Sequence, residues 1–196
     1  ALAAAVAAVT AGSVGVVNAQ QAPVGGYPSL GDAAIIPYYT VREDWVTGVH
    51  IINTSAQTQV VKFRLRGAKE SIDVLDFNIV LSAYDEWTGT VRGDETAIQV
   101  VTTDNSCTVP AFLGDTELYA PVPAATLAEG QEGYIEIIGM ASAIEESSLI
   151  GAAASHTDSK PADCNAVRNN FFVSTGATTS NGYLSPFETR QQADIT

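Results

Sequence analysis

Histidine, cysteine, methionine and positive charge are all scarce in this 196-residue chain, with two His, two Cys, one Met and nine Lys+Arg. The basic residues face 22 Asp+Glu, for a formal charge of −13. That balance argues against nucleic acid or an anionic membrane surface as partner, since both need clustered positive charge. With only His50 and His156, few residues remain for imidazole metal ligation or acid–base work. A Gly-rich phosphate loop, a Gly-x-Ser-x-Gly nucleophile elbow and a Cys-x-x-Cys pair are all absent. No run of about 20 strongly apolar residues is present either, so no membrane span is expected. The nearest is Ala1 to Gln20, which alanines, Gly12, Ser13 and Gly15 dilute.

The first charged residue is Asp32. Before it, "ALAAAVAAVTAGSVGVVNAQ" has the layout of a secretory signal, an apolar stretch followed by Val17 and Ala19 at the small-residue positions before a cleavage point at Gln20. The same residues 1–19, if retained, form an uncharged assembly segment carrying Val6, Val9, Val14, Val16 and Val17. Residues 20–31, rich in Pro and Gly, read as a linker. Residues 32–196 then form one domain, of a size that buries its own core; the chain has the character of a piece truncated at its C-terminus. Cys107 and Cys164 fit an exported protein with a single disulfide; two unrelated buried thiols are the alternative.

Within the domain the apolar residues recur at period two. "AAIIPYYTV" reads as an edge or bulged strand, because Pro37 cannot donate to a ladder. "WVTGVHIINTS" is apolar on both faces, with Trp45, Val49 and Ile51 alternating with Val46, His50 and Ile52, which predicts a central strand covered on both sides. "TQVVKFRLRGA" turns Val61, Phe63 and Leu65 one way and Val60, Lys62, Arg64 and Arg66 the other, the pattern of a half-buried antiparallel strand. The apolar phase of "SIDVLDFNIVL" switches near Leu75-Asp76 and so predicts a bulge. Further strands are expected around Trp87, Gly89 and Val91, over Thr96 to Thr103 and over Glu132 to Ala143, with a long excursion from Pro110 to Gly130. "ESSLIGAAASH" suggests a short helix and "NNFFVSTGATTSNGYLSPF" a last strand. Turn signals every 8–12 residues or so complete the reading: all-β, an antiparallel immunoglobulin-like or jelly-roll β-sandwich with minor helix and one disulfide.

The strings "IIPYYTVREDWVTGVHIINTS", "VKFRLRGAKESIDVLDFNIVLSAYDEWTG", "TTDNSCTVP", "EGYIEIIGM" and "SHTDSKPADC" follow one another in this order. Taken together they resemble an uncharacterised family of exported proteobacterial β-rich proteins, across most of Ile35 to Cys164. The sequence departs from that family's pattern at Ala83, where Pro is usual, and at Gly139, where Glu is usual. The resemblance implies export and a longer chain, and it implies no activity.

Candidate chemistry is thin. His50 reads as a hydrogen-bonded core histidine and His156 as a surface-loop residue. Asp85-Glu86 beside Trp87 is the best pair of carboxylates, but adjacent strand residues point to opposite faces. Neither Glu145-Glu146 nor Asp94-Glu95 lies in a calcium loop. Lys62, Arg64 and Arg66 form a basic stripe, either paired with carboxylates in its own sheet or docking an acidic neighbour, which copies of this molecule would be. These readings predict no enzyme, no cofactor and no metal. They predict an exported structural protein of the extracellular space or outer cell surface, with the periplasm as the other destination. It would form a homo-oligomer or polymer, as in a filament whose apolar N-terminal segment adds a strand to the next subunit. The alternative is a module that binds a glycan or another envelope ligand through Trp87 and Tyr84, with Trp45, Tyr38 and Tyr39 as further rings.

Overall fold

The computed structural model describes residues 33–94, 96–120 and 124–171. Strands β1 (Ala33–Thr40), β2 (Thr47–Ile52), β3 (Thr58–Gly67), β4 (Asp73–Leu81), β5 (Glu86–Gly93), β6 (Ile98–Val101), β7 (Cys107–Val109) and β8 (Glu117–Tyr119) precede a one-turn helix α1 (Ala124–Leu127). They are followed by the long strand β9 (Glu132–Ile144), helix α2 (Leu149–Ala154), a small hairpin β10 (His156–Thr157) and β11 (Lys160–Pro161), and helix α3 (Cys164–Phe171). A five-stranded sheet in the order β1-β9-β3-β4-β7 packs on a four-stranded sheet in the order β2-β5-β6-β8, and every pairing is antiparallel. The fold is therefore an all-β sandwich with minor helix.

The inner faces follow the period-two pattern. Phe63 and Leu65 of β3 meet Phe77, Ile79 and Leu81 of β4 on one side, while Trp87 and Val91 of β5 and Ile98 and Val100 of β6 come from the other. Trp87 is the keystone: its indole lies 5.7 Å from both Phe63 and Phe77, ring centroid to centroid. The phase switch is a bulge at Val74, where the β3–β4 register jumps from Leu65↔Leu75 to Arg66↔Asp73 and both Val74 and Leu75 turn inward. Pro37 lies where the β1–β9 register slips between Ile36 and Tyr39, so β1 is both an edge strand and a bulged one.

A second apolar cluster lies outside the sandwich. Helices α2 and α3 cover Val60, Val80, Val109 and Ile144 on the outer face of the five-stranded sheet, using Ile150, Ala153, Val167 and Phe171. The Cys107–Cys164 disulfide staples α3 to β7 within this cluster. Ser148 caps α2, its hydroxyl accepting from the Gly151 amide at 3.1 Å.

Four expectations are corrected. The strand of "WVTGVHIINTS" is not central: β2 ends the four-stranded sheet, leaving Trp45, Val46 and Ile52 exposed and His50 on the outer face. Apolar residues on both faces here mark an uncovered surface. β3 is not half-solvated; it is the middle strand of its sheet, and Val60 and Lys62 on its outer face are buried. Asn169 to Phe171 lie in α3, where Val167 and Phe171 share a buried helical face; the rest of the expected last strand lies outside the described residues. The excursion after Pro110 contains β8, which closes the four-stranded sheet.

Candidate functional site

Two features of the described surface could do more than hold the sandwich together: a polar cluster at one end and the free edge of β2. The polar cluster gathers the loop after β2, the β4–β5 turn, the β6–β7 loop and the β10–β11 hairpin. Asn53 is its anchor. Its side-chain amide donates to the carbonyls of Gln57 (2.8 Å), Ser82 (2.6 Å) and Leu81 (3.3 Å), and its Oδ1 accepts from the Ser55 amide at 3.0 Å. The "NTS" turn residues thus act as a clamp on the next loop. Asp104 does the same for the β6–β7 loop, accepting from the Ser106 amide and hydroxyl and from the Thr88 amide of β5.

Ser82, Asp85, Asn105 and His156 meet between these clamps. The Ser82 hydroxyl lies 2.9 Å from His156 Nδ1 and 3.3 Å from Asp85 Oδ2, and His156 Nε2 lies 3.2 Å from Asn105 Oδ1. Asn105 Nδ2 donates to the Ser159 carbonyl, which orients the amide so that its oxygen faces the histidine. Nε2 therefore carries a proton, and in neutral imidazole Nδ1 accepts from Ser82. Burial pushes the Asp85 carboxyl above the ordinary carboxylate range, against the opposing pull of His156 3.7 Å away. The chain order Ser, His-bound Asn and base resembles a nucleophile relay, yet Ser82 is only 5% exposed, with its hydroxyl held between two partners. As arranged, the network ties loops together and leaves Oγ closed to a substrate.

Tyr84 projects from this end. It is 71% exposed and held at φ +58, a left-handed conformation costly for an aromatic residue, with its amide donating to the Ser55 carbonyl. Trp87 faces the other way and is fully buried, so it offers no stacking surface. Asp85 and Glu86 diverge as neighbouring residues should: Glu86 reaches His50 on the outer face of the other sheet at 2.8 Å. His50 is accordingly no core residue, because its strand is an edge with an open outer face. His156 is more than a loop residue, since it bridges two loops. No sequence motif flags the cluster, since its members are scattered over 74 positions from Ser82 to His156. The only hint was that the motif strings "NTS", "LSAYDEW", "DNSC" and "SHTDS" each end or begin here.

The basic stripe is consumed inside its own sheet. Arg64 pairs with Asp73 at 2.9 Å, Arg66 with Glu136 at 3.1 Å, and Lys62, fully buried, lies 2.5 Å from Asp76. Cross-strand carboxylates from β4 and β9 thus neutralise it, and it presents no open basic face. Asp94 Oδ1 is occupied by the amides of Thr96 and Ala97 in a tight turn. Among the described residues no group of three or more His, Cys, Asp or Glu is placed to hold a metal.

The edges of the sandwich differ. β7 and β8 are three residues each, and β7 is covered by α3, whose Arg168 donates to the Thr108 carbonyl at 2.9 Å. β1 carries Pro37 and a bulge, two devices that discourage pairing. β2 carries neither: among the described residues nothing pairs with its other edge, its ladder with β5 runs unbroken from Thr47↔Val91 to Ile52↔Glu86, and no lysine or proline interrupts it. Trp45 (63% exposed) and Val46 (56%) stand at its start and Ile52 (55%) at its end. Val6, Val9, Val14, Val16 and Val17 lie outside the described residues. No helix among the described residues is long and apolar enough to cross a membrane. No family model, curated protein or solved structure matches the chain.

Proposed function

We propose that this protein is an exported structural subunit that joins copies of itself by strand addition, the apolar segment Ala1 to Ala19 of one copy pairing with the β2 edge of the next. One observation carries the reading: β2 is a regular, unprotected edge flanked by exposed Trp45, Val46 and Ile52. Such an edge is a template for another strand, with backbone hydrogen bonds supplying affinity and side-chain pockets supplying register. The donor segment is uncharged, so it adds no repulsion to the meeting of two acidic molecules. A disulfide that closes a long loop persists in oxidising compartments, which supports export to the extracellular space or outer surface.

Two variants test the proposal: Val46→Lys/Ile52→Lys, which charges the edge, and deletion of Ala1 to Gln20. Light scattering after size exclusion, with electron microscopy of the same samples, should find polymers of the parent chain and monomers of both variants. A parent chain that stays monomeric at high concentration, or variants that still polymerise, would refute it.

A second reading has one observation in its favour, the outward-held Tyr84, 71% exposed in the β4–β5 turn: an envelope glycan stacking on that ring. Glycan binding that disappears in Tyr84→Ala while assembly is unchanged would favour it over the first.

A further inference from the structure

The outer face of the five-stranded sheet brings together Lys62, Asn78 and Asp76, the first two buried and the third partly exposed, and their ion pair leaves buried polar atoms unsatisfied. Lys62 of β3 stands directly opposite Asn78 of β4, and Asp76 lies two residues from Asn78 on the same face. Lys62 and Asn78 are each 1% exposed. Lys62 Nζ approaches Asp76 Oδ2 at 2.5 Å but off the axis of a good hydrogen bond, and both Nζ and Asn78 Oδ1 are buried without a hydrogen-bond partner. The Asn78 amide nitrogen makes one long contact, 3.4 Å, to the Val109 carbonyl. Buried polar atoms without partners are costly, and a buried ammonium with a single off-axis carboxylate is costlier still.

We propose that these residues form an intramolecular isopeptide bond between Lys62 and Asn78, with Asp76 as the proton carrier. Side chains directly opposite on antiparallel strands have Cβ atoms about 4.5–5.5 Å apart, so the four-carbon stem of lysine reaches the Asn78 carboxamide. Asp76 takes a proton from the Lys62 ammonium, which exposes the Nζ lone pair. Nζ attacks Asn78 Cγ, and protonated Asp76 supplies a hydrogen bond to Oδ1 as charge develops there. The tetrahedral centre collapses with cleavage of the Cγ–Nδ2 bond, and Nδ2 departs with the protons as ammonium. The balance is one lysine ammonium and one carboxamide giving one secondary amide and one ammonium ion; Asp76 is an unprotonated carboxylate before and after, and no oxidant or cofactor is required.

The surroundings suit the reaction. Val60 and Val80 form the next cross-strand pair on that face and Val109 lies opposite Asn78 on β7, all three buried, so water is kept from the tetrahedral centre. The geometry holds nucleophile, electrophile and proton carrier on two strands paired without interruption from Gln59↔Leu81 to Leu65↔Leu75, which fixes their approach. The product would tie β3 to β4 covalently through the directly opposite residues Lys62 and Asn78. The bond forms within one copy, whether or not copies associate.

The test is the intact mass of the folded, purified chain under denaturing conditions, followed by proteolytic mapping. The expected result is a mass lower than the disulfide-bonded sequence by one ammonia, with Lys62 and Asn78 recovered in a single branched peptide. Lys62→Arg and Asn78→Ala should each restore the full mass, and Asp76→Ala should restore it while both partners remain. A wild-type chain of full mass overturns the proposal. So does an ammonia loss that maps elsewhere, for instance to cyclised Gln20. A branched peptide persisting in Asp76→Ala would overturn the role given to Asp76.

Discussion

Gly89 is a position where one methyl group should disturb the aromatic centre of the core. It follows Trp87 by two residues on the inner face of β5, and the indole folds back over it. A Cβ at position 89 would lie 2.6 Å from Cζ2 and 2.9 Å from Cζ3 of Trp87, and closer still to Cη2. Carbon atoms pack at about 3.5 Å or more, so the ring must move by about 1 Å. Its retreat is blocked by Phe63 and Phe77, which stack on each other at 4.9 Å and each stand 5.7 Å from the indole. Overpacking of this kind costs about 1–3 kcal/mol, and weakening two aromatic contacts adds about 0.5–1.5 kcal/mol each. Against this, replacing glycine in a strand recovers about 0.5–1 kcal/mol of backbone entropy. The clash wins, and Gly89→Ala is expected to destabilise the domain by about 2–3 kcal/mol. At roughly 2–4 °C per kcal/mol for a domain of this size, calorimetry should show the midpoint fall by about 4–12 °C. The control is the same substitution in a Trp87→Leu background, where the shorter side chain leaves position 89 open. There, alanine should be neutral or stabilising, and the double-mutant cycle should show strong coupling. An unchanged midpoint for Gly89→Ala, or an equal loss in both backgrounds, would refute the reasoning.

Two further outcomes follow from named groups. Cys107 and Cys164 close a loop with a sequence separation of 57. Replacing both by serine is therefore expected to cost about 4 kcal/mol in the chain-entropy account, read as a lower urea midpoint and reproduced by reductant on the parent chain; a loss below about 1 kcal/mol would contradict it. Asp85 titrates higher in the folded chain than in the unfolded one, chiefly through burial. The folded state therefore holds this proton more tightly. The associated stabilisation is fully present below the ordinary carboxylate value and disappears as pH rises through the raised folded value. In a His156→Gln background, which removes the histidine's own titration, the Asp85 chain should gain stability on acidification through that window relative to an Asp85→Asn partner. A difference between the two that does not vary with pH would show that the carboxyl is not desolvated as described.

Where chain neighbours decide a feature, it was legible. The alternation through β3, the phase switch resolved as a bulge at Val74, the bulged edge at Pro37 and the short helix after Ser148 are all local facts of side-chain size and backbone geometry. Asp85 and Glu86 diverge as expected of neighbours, with Asp85 in the turn and Glu86 opening β5. Such features need only the period of a strand, the fixed φ of proline or a capping hydroxyl. The acidic balance and the apolar uncharged start are likewise properties of the sequence itself.

Other features depended on which surfaces meet. β2 is apolar on both faces, and nothing local distinguishes a strand buried between two layers from an edge left open; only its place in the β2-β5-β6-β8 order does. β-branched or aromatic composition around Asn169 to Phe171 favoured a strand, yet Val167 and Phe171, four apart, bury together as a helix against β7. Lys62 belongs by spacing to a solvated basic stripe, and it is buried because helices and neighbouring strands crowd that part of the outer face. The meeting of Ser82, Asp85, Asn105 and His156, and of Lys62, Asp76 and Asn78, is likewise a product of loop placement and strand register. The sequence by itself determined the alternation and the breaks, because these act between residues near in the chain, and the charge and the presence of two cysteines, because these are matters of composition. The tertiary structure alone decided which edge stays open, which charges are buried and which distant side chains touch, because those outcomes depend on the order in which strands are laid side by side.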